Sequence, residues 1–135
     1  MSPWVTIRDD KVLYTNQDGG DILTPPMLVY WSSTVFENVT PEAAPYLEGN
    51  AAPENWFESV DKVVKRILIT AGDDEVLRDS IVKYTKSVEK FHPEATFFMD
   101  EGGVHVDPYI CFAVGQPDRG KLIPFTLEWL DKISS

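Results

Sequence analysis

The chain has 135 residues and a mass of 15.3 kDa, the length of one ordinary domain, and 43% of its residues are hydrophobic, which is enough to form a core. Its 22 acidic and 12 basic residues leave a formal net charge of -10. The field of such a chain repels phosphate backbones and anionic lipid heads. The composition therefore argues against nucleic acid as a partner.

One cysteine and two histidines limit the metal and disulfide chemistry of the chain. Cys111 cannot form an internal disulfide, and together with His92 and His105 it gives no pattern of metal ligands. We therefore expect no metal, no cofactor and a reducing, cytoplasmic setting. No apolar run reaches the ~20 residues of a membrane span, and the first residues lack the features of a secretion signal.

Residues 1–53 hold more than half of the prolines and the turn-forming run Asn16 to Asp21, so we predict mostly loops with short helices. One short helix is expected after Pro25 and Pro26, since proline is tolerated in a first helical turn. The apolar residues that favour this helix are Met27, Leu28, Tyr30, Trp31, Val35 and Phe36. Its large aromatic rings are candidates to line a pocket.

Residues 54–135 alternate between helical and strand patterns. A helix is predicted from Glu54 to about Lys65, a buried strand from Arg66 to Ala71, closed by Gly72, and a second strand from Ala95 to Met99. Two further helices are predicted by apolar residues at helical spacing, one from Leu77, Ile81, Tyr84, Val88 and Phe91, and a last one from Leu122, Trp129, Leu130 and Ile133. Such alternation predicts an α/β fold with parallel strands. Two strands alone make a marginal sheet, so we expect this chain to be part of something larger.

The two predicted strands each end in a polar loop that carries titratable side chains. Asp73, Asp74 and Glu75 follow the first strand, and Gly102 and Gly103 precede His105 after the second. Because functional groups gather beyond the carboxyl ends of parallel strands, we expect an acid and His105 to meet there. A carboxylate on Nδ1–H would fix the tautomer of a histidine that acts as a general base.

Structural roles explain the same residues without any chemistry. An acid after a strand is often a turn former or a helix N-cap, and His105 would then be a surface loop residue. His92 lies in a connector beside Pro93, and we interpret it as structural.

The residues at the first strand resemble a known motif. Ile69-Thr70-Ala71-Gly72 followed by Glu75-Val76-Leu77-Arg78-Asp79 is similar to the strand and acid loop of the hormone-sensitive-lipase family of α/β-hydrolases, where the pattern reads D-P-L-R-D. In the fungal branch similar to steryl acetyl hydrolases it commonly reads E-V-L-R-D, which this chain matches letter for letter.

This resemblance implies which residues serve a catalytic triad. By the letter match Glu75 is the triad acid, whereas counting from Gly72 gives Asp74, because the chain carries one extra residue there; we favour Glu75. Gly103-Val104-His105 resembles the histidine loop of the family. Ser2-Pro3-Trp4 resembles the segment that opens the substrate-covering insertion. The resemblance thus covers the whole chain, with residues 1–53 as a cap-like or lid-like segment and residues 54–135 as the C-terminal portion of an α/β-hydrolase fold.

Two family features are absent from the sequence. The chain has neither a G-x-S-x-G nucleophile elbow nor an H-G-G-type oxyanion segment. None of its eight serines is assigned as nucleophile: Ser32 and Ser33 fall in the cap-like segment, and Ser80 follows the acid on a helix. We interpret Cys111 as a core residue. The chain alone is therefore expected to be inactive.

Three hypotheses follow from the sequence. In the first, the chain is the C-terminal fragment of a carboxylic-ester hydrolase, whose complete form acts on a small apolar ester and whose N-terminal half is missing here. In the second, it is a non-catalytic α/β module that docks to an intact hydrolase or to its own copy through a sheet edge. The third is an unrelated small α/β binding protein.

Overall fold

A computed structural model describes residues 2–8 and 20–134. Its elements follow the order α1 (Pro25–Val35), α2 (Ala44–Leu47), α3 (Val60–Val63), β1 (Ile67–Gly72), α4 (Arg78–Glu89), β2 (Ala95–Asp100), α5 (Asp107–Ala113) and α6 (Leu122–Ser134). Single 3-10 turns lie at Phe36–Asn38 and Gly49–Ala51. Within the described ranges no helix combines the length and apolarity that crossing a membrane requires. The predicted turn residues 16–19 fall outside these ranges.

The two strands pair in parallel along their whole length. Their register runs from Ile67 opposite Ala95 to Gly72 opposite Asp100, and α4 connects them. A parallel pair needs such a crossover, so this is a β-α-β unit of the mixed α/β class, as the alternation predicted. Each strand extends one residue further toward its carboxyl end than predicted, which brings Gly72 and Asp100 to the edge where the polar loops begin.

The core lies where α4 packs on β1. Leu77, Ile81 and Val88 recur at helical spacing and are at most 2% exposed, and they face Ile69 and Ala71 of β1. Burying a side chain of this size stabilises the fold by about 1.5–3 kcal/mol. The predicted helical stripe is confirmed at these positions, and it anchors the start of α4 directly behind the acidic residues.

The first described residues belong to this same core. Val5 and Leu28 are buried with the residues of β1 and α4, and Trp4 packs edge to face on Trp31 of α1 at 6.3 Å between ring centroids. The predicted helix after the two prolines is confirmed and begins at Pro25. Its other large apolar side chains, Met27, Val29, Tyr30, Trp31 and Val35, are exposed.

The helix predicted from Glu54 to Lys65 is wrong in its extent. Residues 54–59 form turns, Ser59 has a left-handed φ of 67°, and only Val60–Val63 is helical. A left-handed residue cannot continue a right-handed helix. Two aromatic pairs hold the turns instead, Trp56 with Tyr46 at 4.9 Å and Phe57 with Tyr84 at 5.4 Å, and they override the local helical spacing.

The C-terminal region also departs from the prediction. The helix α5 directly after the histidine loop was not predicted. In α6 the expected stripe is only half covered: Leu122 and Trp129 are partly buried, whereas Leu130 is 47% and Ile133 43% exposed. The contact of α6 with β2 runs through Phe125, whose ring stacks on Phe98 at 4.2 Å. Much of the apolar surface of α6 therefore has no cover in the described chain.

An apolar cavity of about 240 Å³ lies beside β1. Its walls are Pro3, Phe57, Val60, Ile67, Leu68, Ile69, Tyr84 and Val88. Since β1 is paired with β2 on one side, this cavity marks apolar surface of β1 that the described residues do not fill.

Candidate active site

Two loops meet at the carboxyl ends of the strands. We call residues 73–77, after β1, the acid loop, and residues 101–106, after β2, the histidine loop. The backbone N–H groups of Asp73 and Asp74 donate to the carbonyls of Asp100 and Gly103 at 3.0 and 3.1 Å. The Gly102 N–H donates to the Asp73 carboxylate. Hydrogen bonds between the two segments thus continue past the ends of the strands and fix one loop against the other.

Gly72 permits this close approach. A Cβ at this position would collide with the backbone carbonyl of Gly103. Any larger residue would force the two loops apart, because the obstacle is main chain and not a flexible side chain.

The acid loop brings Glu75 to the imidazole of His105. Oε1 of Glu75 lies 2.6 Å from Nδ1 of His105, and Oε2 accepts the Gly72 N–H at 3.0 Å. The Glu75 side chain is fully buried and the imidazole is 19% exposed. Both carboxylate oxygens therefore have a donor, which is what a buried charged group requires.

Asp74 does not take part in this contact. Its residue is exposed, and its backbone N–H is engaged with Gly103, while no hydrogen bond joins its carboxylate to His105. Of the two acids that the sequence left open, the structure brings Glu75 to the histidine.

The Glu75 contact determines which ring nitrogen of His105 is left as a base. An ionised carboxylate only accepts, so Nδ1 carries the proton and donates to Oε1. In the neutral ring Nε2 then holds a lone pair. Across residues 2–8 and 20–134, no protein atom forms a hydrogen bond with Nε2. The Nε2 lone pair is thus held in a fixed orientation by the Glu75 contact and accepts no hydrogen bond from the described residues.

The backbone directly after His105 is strained. Val106 has a φ of 52° and a ψ of 30° and stands at the N-cap of α5. A β-branched residue in the left-handed region costs on the order of 1–2 kcal/mol. Surrounding contacts must hold the loop in this conformation, and such strain recurs at functional sites.

The second histidine has a structural role, as predicted. His92 is 2% exposed, and its Nε2 lies 2.9 Å from the carbonyl oxygen of Val64. A carbonyl only accepts, so Nε2 of His92 is the protonated nitrogen. The two rings thus carry opposite tautomers when neutral.

Among the described residues, no hydrogen bond joins a serine hydroxyl or the Cys111 thiol to His105. The hydroxyls of Ser32, Ser33 and Ser80 donate to the backbone carbonyls of Val29, Tyr30 and Leu77. Cys111 is buried in α5, as predicted, and burial together with the nearby Asp107 carboxylate raises the pKa of its thiol. A thiol held protonated is a poor nucleophile.

Asp21 is a site residue that the sequence analysis missed. Its Oδ1 accepts the backbone N–H of His105 at 3.0 Å, and its Oδ2 accepts the backbone N–H of Val76 at 2.8 Å. These partners lie 84 and 55 positions along the chain. In the sequence Asp21 is one more turn former after two glycines, and no local pattern connects it to either loop.

An apolar cavity of about 210 Å³ adjoins the histidine loop, and Asp100 and Asp107 lie in its wall. Its other walls come from Ser2, Gly72, Val104, Val106, Pro108, Tyr109, Leu122, Ile123, Thr126 and Leu127. Among the residues that the structure describes, no group of three or more histidine, cysteine or acidic side chains is placed to hold a metal ion.

Asp100 is expected to cost stability at neutral pH. It is 2% exposed, and burial, followed by the charges of Asp107 and Asp73, raises its pKa above 3.8. Between the unfolded and folded pKa values the folded state holds more protons, so the free energy of unfolding falls as pH rises through that window. Asp100→Asn, which keeps an acceptor for the Lys121 N–H, is therefore expected to raise stability at pH 7.

Urea unfolding at a series of pH values measures this effect. The stabilisation by Asp100→Asn should shrink as the pH falls through the raised folded-state pKa and vanish well below 3.8, where the aspartate is protonated in both states. The exposed Asp118→Asn is the matched control. A destabilising effect at pH 7, or a gain that is the same at every pH, would contradict the expectation.

No protein-family model matches this chain. No curated protein matches its sequence either.

Proposed function

We propose that this chain supplies the acid and the general base of a carboxylic-ester hydrolase that uses a serine acyl-enzyme route. The observation that carries the proposal is the buried Glu75 at 2.6 Å from Nδ1 of His105, with Nε2 left unoccupied in the described chain. A serine nucleophile requires a histidine base whose Nδ1–H is held by a carboxylate, so that Nε2 faces the serine.

In this proposal His105 moves the protons of both half-reactions. Nε2 takes the proton of the attacking serine hydroxyl and gives it to the alcohol that leaves as the acyl-enzyme forms. In the second half-reaction it takes a proton from the attacking water and gives it to the serine oxygen as the acyl–serine bond breaks and the acid is released. Glu75 keeps the proton on Nδ1 and stabilises the imidazolium that forms. Because Glu75 accepts from Gly72 as well, its orientation is set before substrate binds.

The nucleophile and the oxyanion donors come, in this proposal, from a hydrolase segment that pairs with β1. The absence of a G-x-S-x-G motif in the chain supports this. The β-α-β unit, the resemblance of residues 69–79 and the unfilled apolar cavity of about 240 Å³ beside β1 also support it. The chain would then be the C-terminal portion of an α/β-hydrolase fold.

Residues 1–53, the cap-like segment, would cover the substrate in the complete protein. Its helix α1 leaves Met27, Val29, Tyr30 and Trp31 exposed, and apolar side chains of this kind suit a small apolar ester. Because Leu28 of α1 is buried in the core, α1 would hold a fixed position over the substrate.

Two measurements test the proposal. The purified chain is expected to hydrolyse p-nitrophenyl butyrate no faster than free imidazole does, because no serine hydroxyl reaches His105 in the described chain. Mixed with the polypeptide encoded in frame upstream of Met1, it should turn over the ester, and a fluorophosphonate that traps serine should block that turnover.

The same measurements separate the outcomes. If the chain alone hydrolysed the ester and the fluorophosphonate abolished that activity, the chain would contain its own serine nucleophile. That result would contradict the proposal. Stop codons in place of an in-frame G-x-S-x-G upstream would contradict the fragment form of the proposal.

Exposed apolar side chains favour a second candidate, a non-catalytic module that docks to an intact hydrolase or to its own copy. Tyr109, Phe112 and Leu127 of α5 and α6 are each more than half exposed. Tyr109 and Leu127 lie in the wall of the same cavity, and contiguous apolar exposure marks contact surfaces. Sedimentation that shows a dimer or a stable complex, with no ester turnover in any mixture, would favour this module.

A further inference from the structure

We infer that Asp21 is the positioning residue of the Glu75–His105 pair, because its carboxylate ties the acid loop to the histidine loop. The hydrogen bonds of Asp21 are the evidence that it sets the geometry of the pair. The further statement that this geometry serves ester hydrolysis rests on the proposed function.

Asp21 accepts hydrogen bonds from two backbone N–H groups that belong to the pair or adjoin it. One is the backbone N–H of His105 itself, at 3.0 Å, and the other is that of Val76, the residue next to Glu75, at 2.8 Å. Hydrogen bonds to an ionised acceptor are stronger than neutral ones. A single carboxylate therefore fixes the main chain at both ends of the Glu75–His105 contact.

The other bonds between the loops do not duplicate this connection. Those of Asp73 and Asp74 hold residues 100–103, before the histidine. Asp21 holds the loop at His105, directly before the strained Val106. Without it, the segment that carries the imidazole would be free to relax away from Glu75, while the bonds nearer the strands remained.

Ring ¹⁵N NMR of the histidine-labelled chain tests this placement without any turnover. The chain holds only two imidazoles, and His92 is an internal reference, because its Nε2 is bonded to Val64 on the far side of the core. In the unchanged protein His105 should show the Nδ1–H tautomer, with a low-field proton shared with Glu75, and His92 the Nε2–H tautomer.

Asp21→Ala is expected to remove the low-field proton of His105 and to give a mixture of its tautomers, while the His92 signals stay in place. Asp21→Asn should give a smaller change of the same kind, because the amide keeps one acceptor oxygen and sets an NH₂ group against one of the two N–H donors. Asp74→Ala is the matched control, since it removes an equal charge from the exposed side of the acid loop.

The result that overturns the inference is an unchanged His105 signal in folded Asp21→Ala. Should Asp21→Ala fail to fold, Asp21→Asn decides: a change confined to His105 supports positioning, and equal changes at both rings show general destabilisation and overturn it. The failure of this inference is distinguishable from the failure of the proposed function. If Asp21→Ala alters the His105 tautomer but no mixture ever hydrolyses an ester, Asp21 remains a positioning residue and only the proposed function is refuted.

Discussion

His105→Ala is expected to lower the kcat of the reconstituted hydrolase by about 10⁶-fold, the size of loss that removal of a triad histidine produces. The serine then has no base, because Nε2 of His105 is the ring nitrogen left free by the Glu75 contact. The residual rate would come from substrate binding and the oxyanion donors. Initial rates of p-nitrophenyl butyrate hydrolysis measure the loss.

Two controls distinguish a lost base from a lost fold. The variant should still form the complex with the upstream segment. Its unfolding midpoint should fall, because Oε1 of the fully buried Glu75 loses its donor, so the rates are compared at a temperature at which both proteins remain folded. Added imidazole should restore part of the rate by entering the vacated space. Full activity of His105→Ala in a working complex would refute the assignment of the histidine loop.

Glu75→Gln is expected to reduce kcat by about 10⁴-fold, less than the loss of the histidine. The amide can donate its NH₂ to Nδ1, which stabilises the wrong tautomer and leaves the proton on Nε2. It also cannot stabilise the imidazolium that forms during reaction. We expect the loss in kcat with little change in KM, because Glu75 is fully buried and does not face substrate.

Two matched variants identify the acid. Glu101→Gln makes the same chemical change on the exposed side of the histidine loop, where the carboxylate contacts Lys121, and it should leave kcat near that of the unchanged complex. Asp74→Asn tests the alternative register. A large loss in Asp74→Asn together with a small one in Glu75→Gln would move the triad acid one position earlier and contradict the assignment drawn from the 2.6 Å contact.

Local sequence patterns were sufficient for the elements that pack on one another directly. The apolar run of β1 and the helical spacing of Leu77, Ile81 and Val88 each correspond to one buried face, and burial of that face is what selects the element. The helical spacing from Trp56 to Val63 failed as a predictor because only part of that stripe is buried: Phe57 packs on the core, whereas Val63 is 82% exposed. There, ring contacts with Tyr46 and Tyr84 decided the backbone.

The sequence by itself determined that an acidic loop and His105 follow two parallel strands and so lie at one edge of the sheet, since strand order and direction are set by the connecting helix. Only the tertiary structure decided that Glu75 and not Asp74 turns inward, because adjacent residues of a tight turn point in different directions, and here Glu75 is buried against His105 while Asp74 is exposed. Asp21 was likewise invisible in the sequence. It accepts hydrogen bonds from main-chain N–H groups 55 and 84 positions away. Because every residue except proline has such a group, the residue type at those positions gives no sign of the contact.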